Sequence, residues 1–333
     1  MPRAVVAFPA MGTTCEVTVD AIAGAEALCD LAATRVALLE QCWSRFRPTS
    51  ELSMLNARAG RGQVQVSGDL LVLVQTMQQA WERTDHRFDP TVLHAVRAAG
   101  YDADFAAVIA REALAGAVVN SREALAGAVV TDAGRGPDGQ PAPGMSGIVV
   151  EGDFVALPAG VGLDPGAIGK GLAADLVAEE IMGAGATGVM VSLGGDIRFA
   201  GQPGDDPAWV VSVVDERLPR DSADRIMRWI AFDPGTASGA VATSTTLKRR
   251  WPIGSTGAMR HHVINPMTGE VADLDLVQAT VVADEGWWAE AAATAALLLG
   301  PLQAPRWLQE QDLSYLLLDP TTVHESLIGV HHG

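Results

Sequence analysis

The second half of the chain carries four strand-like runs, "GVMVSL" (188–193), "AWVVSVVD" (208–215), "QATVVAD" (278–284) and "SYLLLD" (314–319). Helical periodicity is found at 166–183, 286–299 and 301–311, so strands and helices do not alternate in turn. A doubly wound parallel sheet needs a crossover, usually a helix, between successive strands. The pattern therefore predicts an α+β fold of mixed or antiparallel sheets with packed helices.

The first half adds "CEVTVD" (15–20), which alternates as a strand does. Residues 24–46 read as a helix with Leu28, Leu31, Ala32, Leu38, Leu39, Cys42, Trp43 and Phe46 on one face. A loop and a short helix follow over 44–56, with Ser50 as N-cap. Ser67 is placed to cap a further amphipathic helix to about Thr84, with Leu71, Val74, Gln78 and Trp81 on its stripe. The segment "REALAGAVV" occurs at 111–119 and again at 122–130. An offset of eleven residues is about three helical turns, so a duplicated helix would keep its buried face. Residues 131–147 are rich in Gly and Pro and read as a flexible loop.

A length of 333 residues suits one unit with two possible lobes, about 1–150 and 151–333. The net charge of −17 disfavours nonspecific binding to nucleic acid or to an anionic membrane. The longest apolar stretch, Ala289 to Leu299, is interrupted by Glu290 and Thr294, so no membrane span is expected. The start, "MPRAVVAFPAMGTT", lacks the charged and apolar regions of a leader, which predicts a cytoplasmic protein. The cysteines, Cys15, Cys29 and Cys42, are odd in number and form no CxxC. Buried free thiols are expected, not a disulfide framework or a zinc site.

Four stretches carry candidate chemistry. In "LDPGAIGKGLAADL" (163–176), Asp164 leads a Pro-Gly turn, and Ala167, Gly169 and Gly171 permit close backbone approach. The helix that follows directs its first amides at whatever lies there, and such amides favour anions. Lys170, one of two lysines among 23 basic residues, adds a point charge suited to phosphate. The alternative is a purely structural turn. In "VSLGGDIRFAG" (191–201), Asp196 leaves a Gly-Gly pair, either capping a tight turn or lining a cleft. In "MRHHVINPMTG" (259–269), His261 and His262 point to opposite sides if extended, so one of them can face a site as a general base. A satisfied structural histidine is the other reading. In "WWAEAAATAALLLG" (287–300), Glu290 and Thr294 share one face of an apolar helix and need partners. Magnesium, which takes hard oxygens, would satisfy both. So would an arginine on the glutamate and a back-bonded threonine.

In this order, "MGTTCEVTV" (11–19), "SRFRPTSELSMLN" (44–56), "FDPTV" (88–92), "LDPGAIGKGLAADL", "SLGGDIRFAG" (192–201), "AVATST" (240–245), "HHVINPMTG" (261–269) and "AEAAATAALLLG" (289–300) resemble the ApbE family of FAD:protein FMN transferases. The resemblance implies a two-lobed fold that binds FAD in a cleft with Mg²⁺ beside its pyrophosphate. An acceptor protein's Thr or Ser hydroxyl, in a Ser/Asp-Gly-Ala-Thr-like motif, would attack the FMN-side phosphorus and AMP would leave. Hydrolysis of FAD to FMN and AMP, or flavin binding without catalysis, are alternatives. By motif, Asp164 and Lys170 would contact FAD, with Met11, Phe46, Phe88, Asp89 and Pro90 lining the flavin or adenine pocket. Asp196 would lie at the cleft floor. The Ala167 carbonyl, Glu290 and Thr294 would hold the metal, and His262 would activate the acceptor hydroxyl. Three positions depart from the family pattern: Glu290 replaces the usual Asp, Asn265 an acid, and Phe46 a Tyr. "SGAV" at 238–241 lacks the acceptor Thr, so self-flavinylation is not implied.

Overall fold

A computed structural model of the chain describes residues 1–123, 139–219, 221–233, 235–252, 259–327 and 330–332. Its main element is an eight-stranded sheet. The strands are β1 (Arg3–Ala10), β2 (Thr13–Asp20), β3 (Gly188–Leu193), β4 (Asp196–Gly201), β5 (Ser238–Thr245), β6 (Gln278–Ala283), β7 (Ser314–Leu318) and β8 (Val323–Ser326). They lie side by side in chain order, and every neighbouring pair is antiparallel. The expected α+β arrangement is therefore present. Three of the four strand-like runs are β3, β6 and β7; the fourth, Val210–Val214, pairs with Ile226–Phe232 in a separate three-stranded sheet.

Seven helices complete the described fold: α1 (Ala25–Trp43), α2 (Glu51–Ala57), α3 (Gly68–Arg83), α4 (Leu93–Ala98), α5 (Phe105–Glu123), α6 (Gly169–Gly183) and α7 (Gly286–Glu310). Ser50 and Ser67 cap α2 and α3 as expected, accepting from the amides of Ser53 and Leu70. The break expected near 300 is also present: Gly300, at φ 73°, divides α7 ahead of Pro301. On α3 the buried stripe is shifted from the expected one. Leu70, Leu73, Val74, Met77 and Ala80 face the core, while Leu71, Gln78 and Trp81 are only half-buried. On α1 the buried line runs through Cys29, Ala32, Val36, Leu39 and Trp43, and Leu38 is exposed.

Alternation along the strands builds two cores. Val17, Val19, Val189, Val191, Ala240 and Ala242 point to the face covered by α1, α6 and α7. Phe199 and Val241 point the other way, onto Trp209 and onto Val211, Ile230 and Phe232 of the three-stranded sheet. Cys15 and Cys29 are buried free thiols and Cys42 is half-buried and free. Among the described residues, no helix is long and apolar enough to cross a membrane. The first "REALAGAVV" copy falls within α5. Residues 124–130 of the second copy and 131–138 of the expected loop lie outside the described residues.

Candidate active site

The strand β3 turns into β4 through Gly194-Gly195 alone. Both glycines have positive φ, 70° and 98°, as a two-residue hairpin turn of the tight type requires. This turn closes against the β1–β2 turn, where the Gly194 amide donates to the Thr14 carbonyl. Met11 sits in that second turn with φ 51°. The β3–β4 turn also places Asp196, buried, at the first position of β4. Asp196 Oδ1 accepts from the Thr243 amide on β5 at 3.2 Å, and Oδ2 accepts from the Lys170 ammonium.

Lys170 comes from the first turn of α6 and also lies 3.1 Å from Glu290 Oε1, on the first turns of α7. Burial lowers its pKa, and the charge of Glu290 works against that shift. Glu290 Oε2 accepts from the Gly171 amide at 2.8 Å. Gly171 is the third residue of α6, so its amide is one of those a helix leaves without an internal partner, and the glutamate supplies one. One turn further along α7, the Thr294 hydroxyl lies 2.9 Å from that of Ser244. Lys170, Asp196, Glu290 and Thr294 are thus gathered from positions distant in the chain.

The small residues of the 163–176 segment have a more specific purpose than open access. A Cβ on Gly171 would overlap the Gly286 carbonyl and the Trp287 amide. The two helix N-termini, α6 and α7, therefore cross in backbone contact. Neither has a side-chain cap of its own. Glu290 of α7 caps α6, and Asp175 of α6 caps α7 through the amides of Gly286 (2.7 Å) and Trp287 (2.9 Å). Arg198 of β4 pairs with Asp175 at 3.0 Å. Burial pushes the Asp175 carboxyl up to about 6, while the two amides and Arg198 pull it down.

A second group forms at the other end of the same segment. The Asp164 amide donates to the Pro90 carbonyl at 2.7 Å, joining "FDPTV" to the turn. Asp164 is buried, paired with Arg45 at 3.2 Å, and accepts from the Gly166 amide. Asp89 accepts from the Thr91 amide and hydroxyl and from the Trp81 indole. Burial raises its pKa and those hydrogen bonds lower it. Phe88 and Pro90 are buried in the protein interior, with Phe88 in the main core. Phe46 is exposed, its ring 4.1 Å from the Arg45 guanidinium. It lines a cavity of about 430 Å³ together with Arg45, Asn56, His94, Arg97 and Gly162.

His262 is half-exposed, but its Nδ1 is buried and has no hydrogen-bond partner among the described residues. Burial pushes its pKa down to about 3, helped by the charges of Arg249 and, more weakly, Lys170. The ring is therefore neutral at ordinary pH and, in this environment, a weak base. His261, its neighbour, accepts from the Val263 amide at 3.3 Å.

Ala167, Glu290 and Thr294 carry oxygen donors of the kind a hard divalent cation takes. In the free protein the Glu290 oxygens are held by the Gly171 amide and the Lys170 ammonium, and the Thr294 hydroxyl lies against that of Ser244. No group of three or more His, Cys, Asp or Glu side chains is disposed to hold a metal among the described residues. Four contributors escaped the reading of the sequence: Asp175, Arg198, Arg45 and Ser244. Asp175 did leave a signal. It lies four residues from Gly171, so it shares the face that contacts α7, and it is a carboxylate among Leu172, Ala173, Ala174, Leu176 and Val177.

A family model described as the ApbE family matches residues 11–317. A protein of Rhodobacter capsulatus named FAD:protein FMN transferase is 30% identical over 268 residues, which cover 79% of this chain and 45% of the relative. The chain thus spans less than half the length of that relative. A protein of the same name from Treponema pallidum is 28% identical over 267 residues, covering 78% of this chain and 68% of its own. The crystal structure of the ApbE protein of Thermotoga maritima superposes with a TM-score of 0.78 at 21% identity, covering 98% of this chain and 97% of the other.

Proposed function

The chain belongs to the ApbE family, and from that premise we propose that it is a Mg²⁺-dependent FAD:protein FMN transferase. It would move FMN from FAD to a Thr or Ser hydroxyl of an acceptor protein bearing a Ser/Asp-Gly-Ala-Thr-like motif, and release AMP. The observation that carries this reading is the crossing of two helix N-termini beside Lys170 and Glu290. Lys170 is the ammonium a pyrophosphate would recruit there, exchanging Asp196 and Glu290 for phosphate oxygens, while the amides of Gly171, Gly286 and Trp287 stay held by Glu290 and Asp175.

In the proposed reaction the acceptor oxygen forms a bond to the FMN-side phosphorus. The anhydride P–O bond breaks, and its electron pair leaves with AMP. His262 takes the hydroxyl proton, a role that requires substrate binding to raise its basicity from the free protein, where burial pushes its pKa down to about 3. Lys170 turns its ammonium toward the phosphate oxygens, leaving the carboxylates it holds in the free protein. The Ala167 carbonyl, Glu290 and Thr294 are the residues that would hold Mg²⁺, which when bound supplies neutralisation of charge on the pyrophosphate. The cavity beside Phe46 gives an aromatic ring of the ligand a stacking partner.

The test uses purified protein, FAD, a carrier protein with a Ser-Gly-Ala-Thr tag, and Mg²⁺ present or withheld. The intact mass of the carrier and the AMP released are recorded. A Mg²⁺-dependent gain of one FMN with matching AMP is expected. Free FMN and AMP with an unmodified carrier would overturn transfer to this motif in favour of hydrolysis or another acceptor. Tight FAD binding with neither product would leave a flavin binder.

A further inference from the structure

The pair Asp175 and Arg198 touches none of the groups assigned above to substrate or metal, yet it ties together the elements that carry them. Asp175 lies on α6 with Lys170, Arg198 lies on β4 with Asp196, and the amides that Asp175 accepts from begin α7, which carries Glu290 and Thr294. Arg198 is itself fixed, donating to the carbonyls of Phe199 at 2.9 Å and Gly239 at 3.1 Å. Its guanidinium thus joins β4, β5 and α6.

The arrangement is reciprocal. Each helix end is capped by a carboxylate from the other helix, and the two backbones touch at Gly171 and Gly286. Gly286 and Glu290 are four residues apart, on one face of α7. Holding the Gly286 and Trp287 amides therefore fixes the angle at which Glu290 reaches Gly171 and Lys170. If the Asp175 cap is lost, those amides turn to water and the start of α7 is free to lift. Glu290 then loses its bond to Gly171, and its position relative to the Ala167 carbonyl is no longer set.

We propose that Asp175, clasped by Arg198, is a positioning residue that places Glu290 and Thr294 for divalent-cation binding at the crossing of α6 and α7. The proposal rests on the metal reading given above. Carboxylates that orient a ligand-bearing element commonly alter metal affinity by about 10–100-fold when removed.

The experiment measures Mn²⁺ binding to the full chain by electron paramagnetic resonance of the free ion, with FAD absent and with FAD present. Amide exchange of the peptide containing Gly171 is followed in parallel. Wild type is compared with Asp175→Ala, and with Asp175→Asn, which keeps an amide acceptor while losing the charge pair with Arg198. Asp175→Ala is expected to bind Mn²⁺ about 10–100-fold more weakly and to exchange faster at Gly171, with FAD affinity in the absence of metal changed less than about twofold. Asp175→Asn is expected to fall between the two, a partial rescue that general loss of stability would not give. Should Asp175→Ala fail to fold, Asp175→Asn alone must still show weakened Mn²⁺ binding. Unchanged Mn²⁺ affinity and unchanged exchange in a folded variant would overturn the proposal. If the wild-type chain binds no Mn²⁺ under either condition, the metal reading itself fails, and with it the role given to Asp175.

Discussion

Replacing Lys170 by Met keeps a long stem and removes the ammonium that Asp196 and Glu290 share. Both carboxylates are nearly dry, with side chains 3% and 4% exposed, while the lysine side chain is 21% exposed. After the change each acid keeps one backbone amide, from Thr243 and Gly171 respectively, and loses its cation. Breaking a buried ion pair by removing one partner costs about 3–5 kcal/mol, mostly as charge left uncompensated. Water reaches part of this site, so the lower end, about 3 kcal/mol, applies. At about 2–4 °C per kcal/mol for a domain of this general size, the melting temperature should fall by roughly 6–12 °C at pH 7.5.

The pH dependence of that deficit separates an electrostatic cause from lost packing. In the variant the folded state relieves its excess charge by binding a proton that the unfolded chain does not bind at the same pH. Where the folded state holds more protons, stability falls as pH rises. The deficit should therefore be largest near pH 7.5 and narrow toward pH 5. Thermal melts followed by circular dichroism at both pH values, with and without millimolar Mg²⁺, supply the comparison. Mg²⁺ should raise the variant's melting temperature more than the wild type's, because the bared carboxylates no longer compete for an internal cation. A variant within about 2 °C of wild type at pH 7.5, or a deficit that widens as pH falls, would refute the shared-ammonium reading.

Gly171→Ala should destabilise the fold by about 1–3 kcal/mol, the usual range for overpacking, because its methyl overlaps the Gly286 carbonyl; chemical denaturation measures this. Glu290→Ala should lose most Mg²⁺-dependent turnover while still binding FAD, and turnover that survives intact would remove Glu290 from the metal set. His262→Ala should spare FAD binding and slow transfer by about 10²–10⁴-fold, read in single-turnover assays. In the free protein the His262 ring should stay neutral down to about pH 3, with no titration near 6.5 by nitrogen-15 NMR. The unfolded chain takes up that proton first, so His262 costs the fold stability as pH falls from 6.5 toward 3.

How far the fold was legible depends on how local its causes are. Ser50, Ser67 and Gly300 act within one turn of their own position, and their effects were readable in order along the chain. The stripe of α3 was not, because Leu70, Leu71, Val72, Leu73 and Val74 are all apolar and two faces fit the same period. Strands β1, β4, β5 and β8 are not signalled by the sequence pattern either. "SGAVATST" mixes Ser, Gly and Ala with Val241, Thr243 and Thr245 and shows no clear apolar alternation; β4 and β6 pair with it on either side.

The site shows the same division. Lys170, Asp196, Glu290 and Thr294 were each visible as a residue type that needs a partner, but the partners lie far off in sequence. Glu290 is 119 residues from the Gly171 amide it holds. The glycine itself is the instructive case. Its sequence context requires close backbone approach at 171, and a glycine-rich turn before a helix suggests a ligand as the thing approaching. The structure supplies α7 instead. These are not competing explanations of one residue. Only because Gly171 lets the two helices touch can Glu290 reach back to the Gly171 amide and to Lys170, and so set where that ammonium sits. A side chain at 171 would act on the chemistry by separating the helices, without entering the ligand's space at all.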